Sequence, residues 1–133
     1  MIHLSYDHQR IAALAHSDDA LQWLCNGQPL DWQAILSHWE TNILVRDDET
    51  DSHALFQFKA PAMWEFHFVA PPSVRGKAAA SVILAMLEWF DLTIGHKLFA
   101  KCHVENRRVF YIMPSVGFRY RESRDGHAYF ERA

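Results

Sequence analysis

The chain has 133 residues, half of them hydrophobic and 22% charged, with a formal net charge of −3. These values suit one folded domain (residues 1–133) with its own core and exclude a two-domain chain or a disordered one. The longest apolar stretch, Val82 to Leu87, is too short for a bilayer span, and Cys25 and Cys102 form no Cys-x-x-Cys pair; the expectation is a soluble protein in a reducing, cytoplasmic location.

No repeat, low-complexity tract or Gly/Ser linker divides the chain. Met1 to Leu4 reads as a short strand, followed by a helix from Tyr6 to Ala15 and a second carrying Leu21 and Leu24. After Pro29, Trp32, Ile35, Leu36 and Trp39 recur at helical spacing behind Asp31, a natural cap, so all four are expected on one core face. From Asn42 the period changes: Asn42 to Arg46, Ala54 to Lys59 and Met63 to Val69 read as strands. The acidic run Asp47, Asp48, Glu49 and Asp51 falls at the first hairpin turn, where a solvated loop is expected; the central Gly of a calcium loop is missing.

A loop, Ala70 to Ser73, leads into a long apolar helix from Lys77 to Thr93 that ends before Gly95; its apolar residues cover more than one face, which predicts burial against a sheet. Then come a strand from Lys97 to His103, a helix from Asn106 to Met113, a strand from Phe118 to Glu122, the Asp125-Gly126 turn and a last strand from His127 to Glu131. The pattern is α+β with a mixed, mostly antiparallel sheet flanked by helices.

Charge is uneven along the chain. Up to residue 74 there are three basic and ten acidic residues, and beyond it ten basic and six acidic. An anionic ligand is therefore expected on the second half. The segment Ser73-Val74-Arg75-Gly76-Lys77-Ala78-Ala79-Ala80 joins a strand to the long helix. Small residues allow close approach, free helix N–H groups favour a phosphate, and Arg75 and Lys77 add charge; the plain alternative is a tight connection with two exposed basic side chains.

A second segment, Asn106-Arg107-Arg108-Val109-Phe110-Tyr111-Ile112-Met113-Pro114-Ser115-Val116-Gly117-Phe118, complements the first. Together they resemble the GNAT N-acetyltransferase superfamily, through Arg75-Gly76-Lys77 and the spacing from Asn106 to Gly117-Phe118. The resemblance implies a GNAT-like fold and acetyl-CoA or CoA as ligand. It implies that the loop Arg75, Gly76, Lys77, Ala78, Ala79 and Ala80 wraps the pyrophosphate. It further implies that the strand edge ending in Phe68 and Val69 holds the pantetheine arm from one side and Asn106 from the other. Two positions depart from the family: Ala78 replaces a loop Gly, and Met113 stands where a Tyr commonly protonates the leaving thiolate. Pro114 follows and biases Met113 away from helical angles. Tyr111, two positions earlier, is the alternative donor, with Ser115 a weaker one.

Glu65 and His67 alternate onto one strand face, opposite Trp64, Phe66 and Phe68, and are the expected base residues; the plain alternative is a pair of structural polar groups. The remaining histidines show no zinc-type spacing, so no metal is expected. Cys102 is read as a small core residue. Arg107, Arg108, Arg119, Arg121 and Arg124 cluster late in the chain, but alternation with Phe118 and Tyr120 and a pI near 6.3 argue against nucleic acid.

The chain's end, from Gly117-Phe118 through Arg124-Asp125-Gly126, is also similar to small GNAT-like proteins of short-tailed bacteriophages. That likeness, with the two departures, implies a virion assembly or accessory factor with a protein partner in the host cytoplasm and weak or absent catalysis. The competing expectation is an active acetyl-CoA-dependent N-acetyltransferase acting on an amine. Oligomeric state is left open by the sequence.

Overall fold

Alternating apolar and polar residues set up seven strands: β1 (Ile2–Leu4), β2 (Asn42–Asp47), β3 (His53–Ala60), β4 (Met63–Val69), β5 (Lys97–His103), β6 (Phe118–Arg124) and β7 (His127–Arg132). The computed structural model describes residues 1–17 and 29–132. The expected helix carrying Leu21 and Leu24, and Cys25 with it, lie outside the described residues. The strands form one sheet in the order β1-β2-β3-β4-β5-β7-β6, antiparallel throughout except where β4 and β5 run parallel.

Four described helices cover the sheet: α1 (His8–Ala15), α2 (Trp32–Ser37), α3 (Gly76–Thr93) and α4 (Arg107–Ser115). Side chains of one strand face, including Val45, Phe56, Phe66, Leu98 and Phe130, pack with Ile83, Met86 and Phe90 of α3 and Met113 of α4. The opposite face gives Leu44, Leu55 and Val69 to a smaller core with Ile11, Leu14, Trp32 and Leu36 of α1 and α2. Each sheet face thus has its own helix layer.

Three expectations need correction. Trp39 does not join the α2 stripe and is 60% exposed, because the chain leaves the helix at His38, whose carbonyl receives the N–H groups of Thr41 and Asn42. The remainder of that helix is as expected, with Asp31 accepting a hydrogen bond from the Ala34 N–H at 3.1 Å. Leu84 and Leu92 are exposed, so α3 buries one face rather than several. Pro114 lies inside α4, which continues to Ser115. In the last turn proline forfeits only its own N–H bond, and the turn closes through Val116 N–H to Met113 O and Gly117 N–H to Pro114 O. Between β6 and β7, Asp125 and Gly126 both take positive φ (51° and 76°), the geometry of a two-residue hairpin turn that follows the sheet's twist.

Candidate functional site

The parallel pairing of β4 and β5 is short. It runs through Met63 with Lys97, Trp64 with Leu98 and Glu65 with Phe99, and then stops. Beyond Glu65, β4 continues to pair with β3 through Phe66, His67, Phe68 and Val69, while β5 turns to β7. The edge of β4 from Phe66 to Val69 that faces β5 therefore has no strand partner, and a cleft opens between the two strands. Phe68 is half-buried and Val69 buried, so both offer backbone rather than free side chain to that cleft.

At the open end, Gly76 begins α3 with φ +56°, a conformation disfavoured for residues with a Cβ, and nothing lies within 4 Å of where a Cβ would stand. The N–H groups of Ala78 and Ala79 turn back onto the Arg75 carbonyl, at 3.2 and 3.5 Å. Those of Gly76 and Lys77 have no acceptor among the described residues. Ala79 is in the core and Ala80 packs against it, so the exposed part of the loop is Arg75 to Ala78. The Arg75 guanidinium folds back to donate to the Pro72 carbonyl at 2.6 Å, whereas Lys77 is exposed.

At the closed end lies Glu65, 2% exposed. Its Oε1 is 3.4 Å from Lys59 Nζ and 3.5 Å from His67 Nε2, and its buried Oε2 has no hydrogen-bond partner. Burial acts to raise the carboxyl pKa. The hydrogen bond and charge of His67, with Lys59 and Lys101, outweigh burial and hold it below the ordinary carboxylate value, so Glu65 is ionised. His67 is the accessible member of the pair: its side chain is 22% exposed and its Nε2 lies 2.7 Å from Gln57 Oε1.

The structure thus brings Glu65 and His67 together. It places Asn106 at the start of α4, half-buried, with no capping hydrogen bond from its side chain. Tyr111 is not brought to the pair: it is 80% exposed and lines an open depression of about 370 Å³ with Val104, Arg107 and Phe110. Met113 is a core residue, and Ser115 spends its hydroxyl on the Ile112 carbonyl at 2.6 Å. Cys102 lies in the core, where burial pushes its thiol up to about 11.

The acidic turn has its own partners. Asp51 pairs with Arg10 and Arg46, Asp47 with the N-terminus and Thr50, and Asp48 with His3. No group of three or more His, Cys, Asp or Glu suited to a metal occurs among the described residues, and no helix there is long and apolar enough to cross a membrane.

Sequence reading missed Gln57, Asn42 and Lys59. Gln57 interrupts the apolar run of β3 and faces His67; its Nε2 donates to Asn42 Oδ1 at 2.9 Å. A polar residue inside a strand flanked by Phe56 and Phe58 was the available signal, and the β3–β4 register, Gln57 opposite Glu65, gives it meaning.

No family model and no curated protein matches the chain. Solved structures do. An acetyltransferase of the GNAT family from Bacillus anthracis is 16% identical with a TM-score of 0.73, over 98% of this chain and 92% of that one. A ribosomal-protein-alanine N-acetyltransferase from Brucella melitensis is 14% identical with a TM-score of 0.74, over 99% and 98%. Spermidine N-acetyltransferase from Vibrio cholerae, in complex with CoA and spermine, is 13% identical with a TM-score of 0.75, over 98% and 92%. The seven-stranded, mostly antiparallel sheet with its split between β4 and β5 is therefore the GNAT acetyltransferase fold.

Proposed function

We propose that the protein is an acetyl-CoA-dependent N-acetyltransferase acting on an amine. The observation that carries this reading is the Glu65 carboxylate beside the accessible His67 ring, at the point where β4 and β5 part. The free amides of Gly76 and Lys77 suit a pyrophosphate, helped by the Lys77 charge. The unpaired β4 edge and the Asn106 carboxamide suit the two sides of an amide-bearing arm.

In the reaction, acetyl-CoA supplies the thioester. The amine arrives as ammonium and gives one proton to the Glu65–His67 pair. Its nitrogen then forms the C–N bond as the C–S bond breaks, and its second proton leaves with the departing thiolate. Met113 and Tyr111 contribute nothing to that last step, since one is buried and the other faces solvent. Neither departure from the family bears on the proton-accepting pair. The alternative of an assembly factor draws no support from the similar structures, which are acetyltransferases.

Calorimetric titration with acetyl-CoA tests the reading. The expected result is micromolar binding, weakened at least tenfold in the Arg75→Glu/Lys77→Glu double variant. Absence of binding at millimolar acetyl-CoA would contradict it, and a stable protein partner recovered from lysate in that case would favour the assembly role.

A further inference from the structure

On the sheet face that carries Glu65 and His67, a line of polar side chains crosses β2, β3 and β4. It starts from an atom of fixed character. The backbone carbonyl of His38 accepts hydrogen bonds and nothing else, and Asn42 Nδ2 donates to it at 3.4 Å and to Thr41 Oγ1 at 3.4 Å. Turning the Asn42 amide over would set oxygen against oxygen. Asn42 Oδ1 is therefore the atom that faces Gln57 Nε2, at 2.9 Å, and must accept from it. That fixes the Gln57 amide in turn, so its Oε1 is the atom 2.7 Å from His67 Nε2.

Both neighbours of His67 Nε2 are then acceptors: Gln57 Oε1, and Glu65 Oε1 at 3.5 Å. Nε2 carries the hydrogen in every protonation state that the chain permits. In the neutral ring the lone pair resides on Nδ1, which has no partner among the described residues.

We propose that His67 Nδ1 is the atom that takes the amine's proton, and that Gln57 and Asn42 are positioning residues that hold His67 in the Nε2–H tautomer. The inference rests on the acetyltransferase reading above. The ammonium N–H bond breaks, its electron pair stays on nitrogen as the attacking lone pair, and the proton goes to Nδ1. The resulting imidazolium keeps its Nε2–H bond to Gln57 and lies beside the Glu65 carboxylate, which favours its positive charge. It later releases the proton to solvent. Glu65 acts through His67: its carboxylate is buried and its pKa is held low, both unsuited to accepting the proton itself.

Long-range proton–nitrogen NMR on the uniformly 15N-labelled full chain reads the tautomer directly, with the His67→Gln variant identifying the signals among nine histidines. At a pH where His67 is neutral, Nε2 should appear protonated and Nδ1 bare. Gln57→Leu, which leaves only the more distant Glu65 Oε1 facing Nε2, should raise the share of the Nδ1–H tautomer and lower kcat on the order of tenfold, with acetyl-CoA affinity unchanged. Gln57→Glu, which still offers an acceptor, should restore the Nε2–H form. An Nδ1–H ring in the native chain, or an unchanged tautomer in Gln57→Leu, would overturn the inference. Failure to bind acetyl-CoA, with the Nε2–H form observed, would instead contradict the acetyltransferase reading and leave Nδ1 without an amine to deprotonate.

Discussion

A carboxyl group as buried as Glu65 ordinarily takes up a proton, yet this one stays charged because Lys59, Lys101 and His67 surround it. Removing that charge exposes what it does. Glu65→Gln should leave the fold and acetyl-CoA affinity intact and lower kcat by about 10²-fold, the scale of acid–base assistance; an unchanged kcat would show the pair to be structural. Tyr111→Phe should change kcat less than twofold, since the hydroxyl stands in solvent away from the pair. At this scale the sequence was partly legible. Alternation along β4 alone put Glu65 and His67 on one face. Gln57, Asn42 and Lys59 belong to the same cluster through pairing across β2, β3 and β4, which a single strand's pattern does not contain. Met113 shows the converse. Its place in the motif suggested a catalytic position, but the α4 residues around it, Val109, Phe110 and Ile112, pack into the larger core and take Met113 with them. A Tyr introduced there would overpack that core, at about 1–3 kcal/mol.

Among the elements, the junction of the 70–75 loop with α3 combines sequence and geometry most tightly. Gly76 supplies the left-handed turn that aims its own N–H and that of Lys77 outward. Gly76→Ala should cost about 1 kcal/mol of stability from the positive φ, since space for a methyl exists. It should weaken acetyl-CoA binding by more than that, measured by calorimetry beside denaturant unfolding; equal losses would mean that the turn matters only for folding. The run of elements was legible because each has a strong local cue: Asp31 as a cap, Asp125-Gly126 as a hairpin turn, period-two alternation in β2 to β4. The length of the β4–β5 pairing was not. It depends on where two strands 28 or more residues apart diverge, which only the assembled sheet decides.

For the whole molecule, acid sensitivity follows from groups outside the proton-accepting pair, with Glu65 added to them. His53 is fully buried; its Nδ1–H donates to the Asp51 carbonyl at 3.0 Å, Nε2 has no partner, and burial lowers its pKa below 6.5. The unfolded chain then binds the proton more readily, so this contribution is fully present above pH 6.5 and is lost as pH falls toward the folded value. Asp47, Asp51 and Glu65 are depressed as well and add a second loss in the acid range, as pH falls through their folded values. Exposed His3, raised by its hydrogen bond to Asp48, acts in the opposite sense and weakly. Denaturant unfolding at pH 7.5 and 5.5 should show the native chain losing more stability than His53→Asn; equal losses would remove His53 from the account.

The central claim is that the split sheet holds acetyl-CoA with its acyl end at Glu65 and His67. Backbone amide NMR during titration with acetyl-CoA tests it most directly. The largest shifts should fall on Gly76 and Lys77, along Phe66 to Val69 and at Asn106, with the side chain of His67 responding. Shifts confined to the depression beside Tyr111, or none at millimolar ligand, would contradict it.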